Sequence, residues 1–210
     1  MVRILCIGDS HIPNRAKGLP KQIYDEIANL TRDTLFDFTL FTGDVIKDPE
    51  LLEFLNLKTK SNFYIVMGNM DYHYGNRNAP LYQKLEVNFE DNSKITIGLT
   101  HGAQINPRGD HTQLEDLANE KGYNIIVSGH THKEELFLTK SGVLLINPGS
   151  VTGAWSFLAS GIPSFVVLNI NESAKEIHID LVQIEKRARE MISLRSKYSF
   201  QNKRIINSLI

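Results

Sequence analysis

The chain has 210 residues, 41% of them hydrophobic and 22% charged, with a formal net charge of −1. That composition suits one globular domain whose core needs no disulfide, and the near-neutral balance gives no overall attraction to nucleic acid or anionic lipid. A single cysteine, Cys6, excludes an internal disulfide and a thiolate zinc cluster and fits a reducing, cytoplasmic setting; MVRILCIGDS lacks a signal-peptide pattern, and no apolar run approaches the ~20 residues of a membrane helix.

Taken in chain order, Val2–Ile7 is an apolar run ending at Gly8 and predicts a buried strand, with Cys6 inside it. Leu19, Ile23, Ile27 and Leu30 recur at helical spacing, and Pro20 suits a first helical turn. Short strands are expected at Phe38–Phe41 and Phe63–Met67, with a helix at Pro49–Leu57 between them. Alternating strand and helix argue for parallel βαβ units. From Lys84 the character changes. Lys84–Phe89 with Lys94–Leu99, Glu135–Thr139 with Val143–Ile146, and Ser164–Ile170 with Glu176–Val182 each flank a polar turn and predict three hairpins. A helix at His111–Lys121 and a strand at Asn124–Val127 lie between the first two. The expected architecture is two packed sheets with helices outside. Residues 185–210 carry seven Lys/Arg and two Asp/Glu, a local +5 against −6 for residues 1–184. Ile184, Ala188, Met191, Ile192 and Leu194 at near-helical spacing predict a basic, amphipathic helical extension or tail there.

The chemistry-bearing residues follow the strands. Gly8-Asp9-Ser10-His11 follows the first, Gly43-Asp44 the second and Gly68-Asn69-Met70-Asp71 the third. ITIGLT leads to His101-Gly102, and YNIIV leads through Ser128 to Gly129-His130-Thr131-His132. Open α/β sheets place ligand sites at that edge. Any one of these pieces alone reads as a turn; five in succession point to a site. Carboxylate and amide oxygens mixed with imidazole nitrogens, without thiolate, suit Mn²⁺, Fe, Zn²⁺ or Ni²⁺. In an extended segment residues i and i+2 point the same way, which pairs Asp9 with His11 and His130 with His132. Asp9, His11, Asp44, Asn69, His101, His130 and His132 are too many ligands for one tetrahedral ion. They fit two ions about 3.5–4 Å apart that share a carboxylate. The other histidines read as a loop residue (His73), a helix start (His111) and a strand surface (His178).

GDSH, GD, GN-x-D, HG and GHTH in this order resemble the calcineurin-like metallophosphoesterases. GDSHIPNRAKGLP, SGHTHKEE, INPGSVTGA and IPSFVVL narrow the resemblance to the small phosphodiesterase branch with its retromer small-subunit relatives, over about residues 1–184. The resemblance implies an α/β fold, a four-layer αββα sandwich of two mixed β-sheets flanked by helices. It implies one ion held by Asp9, His11, Asp44 and His132, and a second by Asp44, Asn69, His101 and His130, with Asp44 bridging. Asp44, Asn69 and Asp71 are the implied catalytic positions, and Asn147 in the NPGS turn is expected to support the ligands. The implied activity is hydrolysis of a phosphodiester or phosphomonoester by a bridging hydroxide, with Mn²⁺ as the first choice of metal. One position departs from the pattern. Many active members carry a histidine where this chain has Met70, and Met70 cannot protonate a leaving group. The alternative implied by the same resemblance is a protein-binding scaffold with retromer-type partners, peripheral to membranes through those partners. Asn106 is polar where the retromer subunit is usually apolar, and Trp155 reads first as an aromatic at the core edge, with a surface anchor for a partner as the alternative.

Overall fold

The computed structural model describes residues 1–208. Two mixed sheets pack face to face and helices cover their outer faces. The first sheet contains β1 (Val2–Ile7), β2 (Phe36–Phe41), β3 (Thr59–Ile65), β9 (Ser164–Asn171), β10 (Glu176–Ile184), β11 (Met191–Gln201) and β12 (Arg204–Asn207), in the order β12-β11-β10-β9-β1-β2-β3. The second contains β4 (Tyr82–Asn88), β5 (Lys94–Thr100), β6 (Ile125–Ser128), β7 (Glu134–Leu138) and β8 (Leu144–Pro148), in the order β4-β5-β6-β8-β7. β1, β2 and β3 run parallel, as do β5, β6 and β8. The three expected hairpins form antiparallel pairs.

Side-chain alternation explains the layers. In β1, Ile4 and Cys6 face the core between the sheets, while Leu5 and Ile7 face the helices α1 (Lys21–Leu30) and α2 (Pro49–Leu57). In β6, Ile125 and Val127 face the inter-sheet core, and Ile126 faces α4 (His111–Lys121). Strands buried on both faces must read as continuous apolar runs, as VRILCI and IIV do. The result is the αββα sandwich. Cys6 is fully buried, and desolvation pushes its thiol up to about 12.

Local signals account for the helix ends. Asp48 caps α2 by accepting from Leu51 N at 3.0 Å, and Asp110 caps α4 by accepting from Gln113 N at 2.9 Å. Pro20 is the N-cap residue of α1 rather than part of its first turn. β3 begins earlier than expected because Lys60, Ser61 and Asn62 are exposed on the edge strand and carry no apolar signal. A five-residue helix, α3 (Asn69–His73), was not expected, and His73 ends it rather than lying in a loop.

The tail is the main correction. It is not helical. Residues 191–207 form the hairpin β11–β12, which extends the first sheet from β10. The apparent helical spacing misled because the turn at 185–190 interrupts it, with Glu185 N donating to Glu190 O at 2.7 Å. Beyond that turn the informative period is two: Tyr198 and Phe200 are both buried against the inter-sheet core. Asn202 and Lys203, at φ 50° and 62°, make the tight connection that a two-residue hairpin demands. The hairpin also reaches the second sheet, where Ile205 N donates to Gly142 O at 2.9 Å and Asn124 donates to Lys203 O at 3.0 Å. Phe200 stacks on Phe89 with ring centroids 5.2 Å apart. Replacing Phe200 by alanine is therefore expected to cost about 3–5 kcal/mol in urea unfolding. A loss below about 1 kcal/mol would show that the hairpin is a peripheral addition.

Candidate metal centre

The C-terminal ends of β1, β2, β3, β5 and β6 meet at one edge where the two sheets face each other. They carry Asp9 and His11, Asp44, Asn69, His101, and His130 with His132. All but Asn69 are buried, Asp9 and His11 completely. Convergence does not come from extended backbone, as the i, i+2 argument supposed. Asp9, His11, Asp44, His130 and His132 all have φ between 50° and 69°, in the left-handed region that costs energy for residues with a Cβ. At the ends of β1, β2 and β6 the chain kinks sharply at its ligands and aims their side chains inward.

Cross-loop hydrogen bonds hold the kinks. Asp9 N donates to Gly43 O and His11 N to Asp44 O, both at 3.0 Å; His130 N donates to Asp9 Oδ2 at 3.0 Å. The loops approach so closely that side chains are barred at the glycines before the ligands. A Cβ on Gly68 would lie 2.0 Å from Asp44 Oδ1, and one on Gly129 would lie 2.3 Å from Asp9 Oδ2.

Two groups of donors result. Asp9, His11, Asp44 and His132 each bring one ligand-type atom, all within 4.8 Å of one another. His11 Nε2 and His132 Nε2 are 2.9 Å apart; Asp44 Oδ2 is 3.3 Å from His11 Nε2, and Asp9 Oδ1 is 3.4 Å from His132 Nε2. On the other side, His101 Nε2 lies 3.0 Å from Asn69 Oδ1, 3.2 Å from His130 Nδ1 and 3.5 Å from Asp44 Oδ2. Asp44 Oδ2 thus faces both groups. Its Oδ1 is occupied by the Met70 N–H at 2.8 Å.

The electrostatics fit cations. His101 Nδ1 donates to Thr42 O, and His132 Nδ1 donates to Ala154 O, each at 2.8 Å, which leaves both Nε2 lone pairs facing the cluster. Burial pushes His11 down to about 2, His130 to about 3 and His132 to about 4, so these rings are neutral and able to ligate. Desolvation raises both buried carboxylates, Asp9 and Asp44, and for Asp9 the charge of Asp44 adds to it. Asp9 Oδ1 is buried with no hydrogen-bond partner. An unpaired carboxylate oxygen surrounded by lone pairs is costly unless a cation completes it.

Support residues separate into expected and missed. Asn147 was expected near the ligands; its Nδ2 donates to Gly129 O at 3.0 Å and to Thr131 Oγ1 at 2.9 Å, bracing the His130–His132 loop. Ser150 and Thr152 were missed. Their hydroxyls donate to Asp9 O at 2.7 Å and Ser10 O at 2.9 Å, so the loop after β8 splints the loop after β1. The run INPGSVTG marked this loop, but main-chain carbonyl acceptors such as Thr42 O and Ala154 O leave no trace in sequence.

Asp71 does not point at the donors. Its Oδ2 accepts from Asp44 N at 2.7 Å and Gly68 N at 3.0 Å, and its Oδ1 accepts from Ile46 N at 2.9 Å. Asp71 therefore positions Asp44 through the backbone. Ile46, a β-branched residue at φ 73°, is held in an unfavourable conformation by this contact. His73 is exposed and packs edge-on against Tyr74 rather than joining the cluster. His111 starts α4 and meets Glu135 at 3.0 Å; His178 lies on β10 beside Glu176 at 3.3 Å. Trp155 and Phe157 are 62% and 80% exposed, so Trp155 belongs to the surface, and Arg15 donates to its carbonyl at 2.9 Å.

A two-sheet αββα sandwich with carboxylate, amide and imidazole donors gathered at the strand ends defines a class, and sequence comparison agrees with it. A family model described as the calcineurin-like phosphoesterase superfamily domain matches residues 2–173, and the chain belongs to that superfamily. It falls within the Vps29-like branch. Vps29 of Cryptosporidium parvum superposes with a TM-score of 0.79 at 31% identity, covering 94% of this chain and 98% of that one. Vps29 of Entamoeba histolytica in complex with Zn²⁺ gives 0.76 at 27% identity, covering 93% and 99%. A Methanocaldococcus jannaschii protein named "Probable metallophosphoesterase" is 38% identical over 146 residues, 70% of this chain and 66% of that relative's length. No helix among the described residues is long and apolar enough to cross a membrane.

Proposed function

We propose that this protein is a metal-dependent phosphoesterase whose two-ion site is formed by Asp9, His11, Asp44 and His132 on one side and Asp44, Asn69, His101 and His130 on the other. The observation that carries the reading is the position of Asp44 Oδ2, within 3.3 Å of His11 Nε2 and 3.5 Å of His101 Nε2. One oxygen facing imidazoles of both groups is what a bridging ligand requires. Bound divalent ions, Mn²⁺ first and Zn²⁺, Fe or Ni²⁺ as alternatives, supply Lewis acidity and a water activated as hydroxide for attack on a phosphodiester or phosphomonoester. The Vps29 of Entamoeba histolytica that carries Zn²⁺ supports metal occupancy on this fold.

The chain's own contributions are positional. Thr42 O and Ala154 O fix the His101 and His132 tautomers, Asp71 fixes the Asp44 turn, and Asn147 fixes the loop bearing His130 and His132. Met70 contributes its backbone N–H to Asp44, a contact any residue but proline supplies. Its side chain supplies no acid, so substrates with good leaving groups are favoured. Chelated protein is expected to be inactive on bis-p-nitrophenyl phosphate and to regain turnover with Mn²⁺. Metal uptake with no turnover on diesters and monoesters alike would sink the enzyme reading.

That outcome would favour the second reading, a metal-stabilised scaffold that binds retromer-type protein partners. The exposed pair Trp155 and Phe157, with ring centroids 5.0 Å apart, supports it, as do the Vps29 neighbours. Asn106, exposed and polar, counts against docking of the retromer kind. Both readings go with a cytoplasmic setting, and the scaffold reading adds an approach to membranes through partners.

A further inference from the structure

Beside the second ion group lies a cavity of about 420 Å³ that shares two of its walls, Asn69 and His101, with the proposed metal centre. The remaining wall is largely apolar: Met67, Tyr72, Leu81, Tyr82 and Ala103, with Gln104 at the rim. The volume falls within the range of about 300–1,000 Å³ typical of small-molecule sites. We propose that this cavity receives one ester arm of the substrate, and that the arm is a flat aryl or heteroaryl group rather than a small alkyl or a sugar. The proposal rests on the phosphoesterase reading above and deepens it by naming the substrate class.

Asn69 and His101 belong both to the second ion group and to the cavity wall, so a substituent on a phosphorus centre held at that group would leave it directly into the cavity. Two tyrosine rings stand in the wall, each paired with a cation: Arg77 lies 4.3 Å from the Tyr72 ring centroid and Lys121 4.4 Å from that of Tyr82. Aromatic faces favour a flat partner that stacks. The wall is also braced. Thr100 Oγ1 donates to Leu81 O at 3.2 Å and accepts from Gln104 Nε2 at 3.1 Å, and Met67 N donates to Pro80 O at 2.9 Å. Leu81 is 56% exposed and Tyr72 51%, an unusual display of apolar surface next to a buried polar cluster. An aryl arm would cover it.

The test measures binding of methylphosphonate and phenylphosphonate to Mn²⁺-loaded protein by calorimetry, beside turnover of bis-p-nitrophenyl phosphate in the same preparations. The native protein is expected to bind phenylphosphonate about ten-fold more tightly than methylphosphonate. Leu81→Gln and Ala103→Gln, both uncharged and both at exposed positions, should each lower that ratio, and the double variant should bring it within about two-fold while leaving methylphosphonate affinity unchanged. A native ratio near one, or a ratio that survives in the double variant, overturns the cavity assignment and leaves the phosphoesterase reading standing if turnover is present. A ratio that collapses as expected in a protein with no turnover supports the cavity and removes only the hydrolase reading.

Discussion

An Asp44→Asn protein is expected to fold normally and to lose Mn²⁺-dependent hydrolysis of bis-p-nitrophenyl phosphate by at least about 10²–10³-fold, the scale on which single electrostatic contacts at a reacting centre are lost. The reason lies in how the two oxygens of Asp44 are used. Oδ1 accepts the Met70 N–H at 2.8 Å, and Oδ2 faces His11 Nε2 at 3.3 Å and His101 Nε2 at 3.5 Å. An asparagine has one acceptor where two are needed. If its oxygen keeps the Met70 contact, its NH₂ points at the place where a cation should sit. If it flips, its NH₂ meets the Met70 N–H donor. The first orientation removes the shared ligand, and the second keeps only a neutral oxygen there while setting two donors against each other, so both ion sites weaken together. The substitution also deletes one of three neighbouring buried carboxylates, Asp9 and Asp71 being the others. The chelated variant should therefore melt at or above the temperature of chelated native protein, yet gain much less from added Mn²⁺. Scanning calorimetry with and without metal checks both signs. A variant that keeps turnover, or that is destabilised without metal, would show that Asp44 serves the fold rather than the ions.

Much of this centre was legible because glycine punctuates it. Gly8, Gly43, Gly68 and Gly129 each stand just before a chemistry-bearing residue, and VRILCI and YNIIV announce buried strands by their unbroken apolarity. Convergence of the donors could thus be read from strand ends alone. The means of convergence could not. Nothing in Asp9, His11 or Asp44 announces a left-handed backbone, because that conformation is imposed by contacts from other loops, such as Asp9 N to Gly43 O. Asp71 shows the same limit in another form. Its place two residues after Asn69 suggested chemistry, but its carboxylate is consumed by three amides that no pattern displays. The tail failed for a different reason. Apolar residues straddling the turn at 185–190 mimic a helical period, and the decisive alternation, Tyr198 with Phe200, spans too few residues to outweigh it.

The geometry of Asp71 leads to the last expected result: Asp71→Ala should lower thermal stability substantially and weaken metal binding, without acting as loss of an acid or base. Three backbone N–H groups, those of Asp44, Ile46 and Gly68, all donate to this one carboxylate within 3.0 Å. A buried donor left without a partner costs about 1–3 kcal/mol. Stranding three, with some relief by relaxation and water entry, should cost roughly 3–5 kcal/mol, which for a chain of this size is about 6–20 °C in melting temperature. Ile46 would then be free to leave its φ of 73°, and the Asp44 turn would lose its template. Metal affinity should fall about 10–100-fold, as it does when a group that orients a ligand is removed. Asp71→Asn makes the assignment sharper. Its single oxygen can serve the Asp44 and Gly68 amides but then presents NH₂ to Ile46 N, so about 1–3 kcal/mol should be lost. With Mn²⁺ at saturation, turnover in Asp71→Asn should recover most of its native value and keep the native pH–rate profile. If Asp71 were instead the proton donor, the variant would keep its stability and metal affinity while one limb of that profile disappeared. Measured together, stability, Mn²⁺ affinity and the pH–rate profile separate a positioning carboxylate from a reacting one.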